Sequence, residues 1–166
     1  MIRFYHGYGS SSETNKFTEI DYEDKHAVTV NYDKLSYNDV ETLYSTQIEK
    51  EKPELLVGHS LGGYWALKMS AKYEIPTVII NPALFPKNSL PHLNYSEDII
   101  EDDLDNKIPK YVYIELADEK IPVLRTIDTL RKYSKVTAIA GGHHRVQFMD
   151  KVNDVITFAM NTYMVD

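Results

Sequence analysis

Residues Gly58-His59-Ser60-Leu61-Gly62-Gly63 follow the apolar run Leu55-Leu56-Val57 and match the pattern Gly-x-Ser-x-Gly. Between a strand and a helix this pattern is a nucleophile elbow, a sharp turn that lifts a serine hydroxyl above the sheet edge. A serine attacks an acyl carbon only with a base to take its proton, an acid to orient that base and N–H donors for the oxyanion. Asp118 follows the apolar run Tyr111–Leu116, with Glu119 as the alternate acid, and His143 and His144 follow Val136–Ala140 and Gly141-Gly142. The order Ser, Asp, His is that of α/β-hydrolases. Spacing alone does not choose between the two adjacent histidines. One oxyanion donor is expected at the Leu61 N–H, at a helix start whose dipole favours negative charge. The other is expected at or near Tyr8, in His6-Gly7-Tyr8-Gly9 after the first strand, where the glycines let the backbone bend toward a substrate. His6 and His59 could line the same site, although each also suits a packing or hydrogen-bonding role. None of His6, His59, His143 and His144 stands in a His-x-x-x-His or Glu-x-x-His spacing, so no metal site is expected.

These groups need a sheet whose strand ends converge. Ile2–Tyr5, Ala27–Tyr32, Glu54–Val57, Thr77–Ile80, Tyr111–Leu116 and Val136–Ala140 read as strands. Helical spacing of apolar residues marks Leu35–Glu51, with Ser36 and Asp39 as a capping box, and also Ser60–Tyr73, Pro122–Tyr133 and the C-terminal stretch around Val152–Tyr163. Strands alternating with helices predict an α/β fold: a mostly parallel twisted sheet of about six strands with helices on both faces. Ser10–Lys25 is polar and offers at most a short helix. Leu84–Lys110 is long and irregular, carries Pro86, Pro91 and Pro109, and reads as a small lid or rim. Its tail, Glu97–Asp105, is acidic. If that tail borders the pocket, it disfavours polyanionic esters.

With 166 residues the chain is expected to form one domain. It has no cysteine, which removes disulfides and thiolate chemistry. A net charge of −7 without a Lys/Arg cluster argues against a nucleic-acid partner. No signal-peptide pattern and no apolar run long enough to span a membrane is found, so a cytoplasmic setting and a small-molecule partner are expected.

Five blocks occur in order from end to end: Tyr5-His6-Gly7-Tyr8 with Ser10-Ser11-Ser12, Gly58 through Tyr64, Asn81-Pro82-Ala83, Ala117-Asp118-Glu119, and Gly141-Gly142-His143-His144-Arg145. In these blocks the chain resembles the YqiA-like family of small esterases in the α/β-hydrolase superfamily. The resemblance implies a compact α/β-hydrolase fold and cofactor-free hydrolysis of carboxylic esters, best known on small acyl groups. Its Gly-Gly-x-His pattern selects His144 as the base and leaves His143 at the variable position; it selects Asp118 as the acid. His6, Gly7, His59, Asn81, His143 and Arg145 are then expected to line the substrate site. Two departures stand out: a short link between the first and second strands, and Arg145 where the family more often has a small residue. The same triad would serve a thioesterase or acyltransferase, and a binding module could keep the elbow as scaffold.

Overall fold

The computed structural model describes residues 1–163. Six strands form one parallel sheet in the order β2-β1-β3-β4-β5-β6. They are β1 (Ile2–Tyr5), β2 (Lys25–Ala27), β3 (Leu55–His59), β4 (Thr77–Ile80), β5 (Lys110–Glu115) and β6 (Lys135–Ile139). Side chains of a strand alternate between faces, and here they feed two separate cores. Leu56, Ile79, Val112 and Ile114 meet Tyr44, Trp65 and Leu67 on one face. Ile2, Phe4, Val57, Val78 and Tyr113 meet Val152, Ile156 and Ala159 on the other. The strands therefore read as nearly continuous apolar runs, as expected for a sheet covered on both sides.

Helices α2 (Tyr37–Glu51) and α3 (Leu61–Tyr73) supply the first core, and α7 (Met149–Tyr163) supplies the second. The capping box forms: Ser36 Oγ accepts from the Asp39 N–H at 3.1 Å, and the Asp39 carboxylate accepts from the Ser36 N–H at 3.1 Å. Between β5 and β6 lies α6 (Val123–Leu130), somewhat shorter than its sequence pattern.

One expectation about the sheet is corrected. The second strand is Lys25–Ala27, not Ala27–Tyr32. It is an edge strand paired only with the four-residue β1, and the chain beyond it leaves the ladder. Val30 and Tyr32 are buried in the α2–α3 core instead, and the Val30 N–H donates to His6 Nε2 at 2.8 Å. The β1–β2 link holds only the single-turn helix α1 (Asn15–Thr18).

Leu84–Lys110 contains α4 (Pro86–Ser89), a 3₁₀ turn at Pro91–Leu93 and α5 (Glu101–Leu104). Much of it is fastened to α3. Trp65 Nε1 donates to the Tyr95 hydroxyl at 3.0 Å, and the Tyr64 hydroxyl donates to the Glu97 carbonyl at 3.0 Å. The buried Lys68 ammonium pairs with Glu97 and Asp103, each at 2.8 Å. This occupies the acidic tail on the α3 surface, and no residue of Glu97–Asp105 lines the cavities around Ser60. The condition under which the tail would disfavour polyanionic esters is therefore not met.

Of the seven glycines, Gly58 and Gly62 of the elbow have the least room for a Cβ. A Cβ on Gly62 would overlap the Tyr5 carbonyl, and one on Gly58 would overlap the Gly62 carbonyl. Gly62→Ala must therefore push α3 away from β1. The expected cost is about 1–3 kcal/mol or more, read as a fall of several degrees in Tm. An unchanged Tm would show that the β1–α3 contact is not what holds the elbow.

Candidate active site

Ser60 stands between β3 and α3 with φ 55° and ψ −120°. This left-handed conformation is strained for a residue with a Cβ. Its main chain is fully tied down: the Ser60 N–H donates to the Ile80 carbonyl at 3.0 Å, and its own carbonyl accepts from Gly63 at 2.9 Å and Ala83 at 2.9 Å. The turn leaves the hydroxyl partly exposed above the carboxyl end of the sheet.

Three side chains from three strand ends meet there. Ser60 Oγ lies 2.8 Å from His144 Nε2, and His144 Nδ1 lies 2.7 Å from Asp118 Oδ2. The carboxylate fixes the tautomer: Nδ1–H donates to Asp118, which leaves Nε2 free to accept from the serine hydroxyl. Burial opposes the Asp118 charge, but the His144 ring and the Lys120 and Ile121 N–H groups outweigh it and hold the carboxyl below its usual range. Those N–H groups reach Asp118 Oδ1 at 2.7 and 3.1 Å. Glu119 takes a different part: its carboxylate accepts the main-chain N–H of His144 at 3.2 Å. His143 is exposed and lines the cleft without joining the relay. Leu61 is the first residue of α3, so its N–H has no acceptor within the helix. Tyr8 borders the cleft on both sides of Ser60, its hydroxyl donating to Asp33 at 2.9 Å.

Gly7, His59 and Arg145 border the cleft. His6 and Asn81 do not: both are fully buried. His6 Nδ1–H donates to the Gly7 carbonyl at 2.7 Å while Nε2 accepts from Val30, which pins the β1 loop. Asn81 Nδ2 donates to the His143 and His144 carbonyls, both at 3.2 Å, and its Oδ1 accepts the Glu115 N–H at 2.9 Å. His59 Nε2–H donates to the His144 carbonyl at 2.7 Å. Glu115, which the sequence reading passed over, accepts from the Gln147 N–H at 2.7 Å and the Phe148 N–H at 3.1 Å. The signal for it was a carboxylate at the end of an otherwise apolar strand, since a buried acid there must find donors. Among the described residues no group of three or more His, Cys, Asp or Glu is placed to hold a metal ion.

A model of the "Uncharacterised protein family (UPF0227)" matches residues 1–93, more than half of the chain. The chain belongs to this family. UPF0227 relatives include protein PM0825 of Pasteurella multocida, 33% identical over 100 residues covering 54% of this chain and 55% of the relative. Another is YcfP of Escherichia coli, 30% identical over 98 residues covering 54% of each. The chain thus matches about half the length of these curated relatives. The UPF0227 match takes in Ser60 and the β1 loop, whereas Asp118 and His144 lie beyond it and rest on geometry. Among solved structures, Est1E from Butyrivibrio proteoclasticus has a TM-score of 0.83 at 15% identity, covering 99% of this chain and 88% of that one. The monoacylglycerol lipase of Paleococcus ferrophilus has a TM-score of 0.71 at 15% identity, covering 98% and 94%. The fold is that of the α/β-hydrolases. No helix among the described residues is long and apolar enough to cross a membrane.

His59 yields a stability prediction. Burial above all, with the Nε2–H bond to His144 opposing it, lowers its pKa to about 3. The unfolded chain takes up this proton near pH 6.5 and the folded chain does not. Between those two values the unfolded state therefore binds more protons, and stability falls as pH falls. His59→Gln removes that contribution. Urea unfolding should show wild type losing about 2 kcal/mol more than the variant between pH 7 and pH 5. Equal losses would mean that His59 titrates freely in the fold.

Proposed function

We propose that this protein is a cofactor-free serine hydrolase that cleaves small carboxylic esters through an acyl-enzyme. The observation that carries the reading is the unbroken relay from Ser60 Oγ through the His144 ring to the Asp118 carboxylate, at 2.8 and 2.7 Å. Likeness in fold to a monoacylglycerol lipase and to an esterase domain from Rhodothermus marinus supports the same reaction class.

Ser60 Oγ bonds to the acyl carbon as its proton passes to His144 Nε2. Asp118 keeps the ring in the required tautomer and stabilises the imidazolium. The Leu61 N–H and an N–H at Tyr8 donate to the oxyanion, whose charge exists only once the carbon is tetrahedral. Collapse breaks the acyl C–O bond, and the departing alkoxide takes the proton from His144 and leaves as the alcohol. Water then attacks the acyl-enzyme and gives a proton to His144. Ser60 recovers that proton as the carboxylic acid departs. The apolar side of the cleft, a cavity of about 420 Å³ bordered by Ala83, Leu84, Phe85 and Ile121, suits a short acyl chain.

Hydrolysis of p-nitrophenyl butyrate tests these assignments. Ser60→Ala is expected to lower kcat by on the order of 10⁴–10⁶-fold, and Asp118→Asn by up to about 10⁴-fold. Glu119→Gln should do far less, because it holds main chain and not the ring. Wild-type turnover by Ser60→Ala would sink the mechanism, and a larger loss in Glu119→Gln than in Asp118→Asn would reassign the acid.

A further inference from the structure

The cleft has two lobes that meet at Ser60, His144, Tyr8 and Arg145. The first is the apolar cavity just described. The second, about 510 Å³, is polar and is bordered by Ser10, Asn15, Lys16, His59 and His143. Lys16 is 8% exposed. Among the described residues four cations are buried, and three have partners within the fold. Arg3 pairs with Glu51, Lys68 pairs with Glu97 and Asp103, and Lys110 Nζ donates to Asn106 Oδ1 at 2.6 Å. Among the described residues, the Lys16 side chain has no ion-pair or hydrogen-bond partner. Burial and the nearby Arg145 guanidinium lower its pKa, with only Glu19 opposing them.

An ammonium partly desolvated beside a second cation, with no carboxylate paired to it, carries an electrostatic penalty, and this one opens onto the polar lobe. Folding alone gives no reason to keep one beside a second cation, and an apolar residue would fill the position at lower cost. A ligand that carries the missing negative charge removes the penalty when it binds, and the cleft is the direction from which such a ligand arrives. The two lobes lie on either side of the serine. With the acyl chain in the apolar lobe, the leaving group occupies the polar one.

Resting on the serine-hydrolase reading, we propose that the substrate is an ester whose alcohol portion bears an anionic oxygen group, a carboxylate or a phosphate, held by Lys16 and Arg145. Arg145 is exposed at the mouth and Lys16 lies deeper, so the first attracts the anion and the second receives it. The acidic tail Glu97–Asp105 does not oppose such a substrate, because it lies away from both lobes, with Glu97 and Asp103 paired to Lys68.

Three esters of one acyl chain on a three-carbon alcohol test this: 1-butyrylglycerol, 1-butyrylglycerol 3-phosphate and 3-O-butyrylglycerate. At low ionic strength at least one anionic ester should exceed the neutral one in kcat/KM by on the order of tenfold or more. Which anion gains identifies the group that is read. About 0.5 M NaCl should shrink the ratio in the wild type. Lys16→Met should bring the ratio toward one, and Lys16→Arg should retain most of it. Because the readout is a ratio, a general loss of activity in a variant does not hide the effect. Turnover of the neutral ester at a rate equal to both anionic ones would overturn the inference and leave the hydrolase reading standing. So would a preference that Lys16→Met does not change. Absence of turnover on all three esters would overturn the hydrolase reading together with this one.

Discussion

The site depends on one strained residue. Ser60 is held at φ 55° and ψ −120°, a conformation that costs on the order of 1–3 kcal/mol and persists only where the surroundings over-determine it. Here they do. The β1–β3 pairing brings the Tyr5 carbonyl against Gly62, and Gly58 lies against the first turn of α3, in contacts with no room for a Cβ. Hydrogen bonds to Ile80, Gly63 and Ala83 close the turn. The sheet and α3 thus force the serine into the one posture that presents its hydroxyl at the strand ends.

His144 is positioned by different means. It sits on an irregular loop after Gly141-Gly142, and no strand or helix holds it. Buried polar groups at the tips of β3, just beyond β4, and of β5 hold the loop instead. His59 and Asn81 donate to its carbonyls, and Glu115 accepts from the N–H groups of Gln147 and Phe148. Each pairing satisfies a buried polar group on the strand side and a main-chain group on the loop side. Fold stability and site geometry are therefore coupled through the same hydrogen bonds. His59 adds a pH dependence to that coupling, since it must stay neutral to be buried.

The sheet and the elbow were legible in the sequence because both are local. Continuous apolar runs mark strands covered on two faces, and Gly-x-Ser-x-Gly between a strand and a helix marks the turn. The edge strand was misread because Ala27–Tyr32 has the β-branched composition of a strand, while its burial comes from packing on α2 and α3 and not from a ladder. His6 and Asn81 stand within the motif blocks and so looked like pocket residues. Their hydrogen-bond partners, Val30, His143, His144 and Glu115, are distant along the chain. The place of the acidic tail was not legible for a similar reason. Its counter-charge Lys68 sits on a helix that reads as a core element, and only the fold brings the two together.

The central claim is that Ser60 is an activated nucleophile. The most direct measurement is reaction with a fluorophosphonate followed by peptide mapping by mass spectrometry. The expected result is a single stoichiometric adduct on Ser60, formed far more slowly when His144 is replaced by Gln. No adduct, an adduct on another serine, or labelling indifferent to His144 would contradict the account.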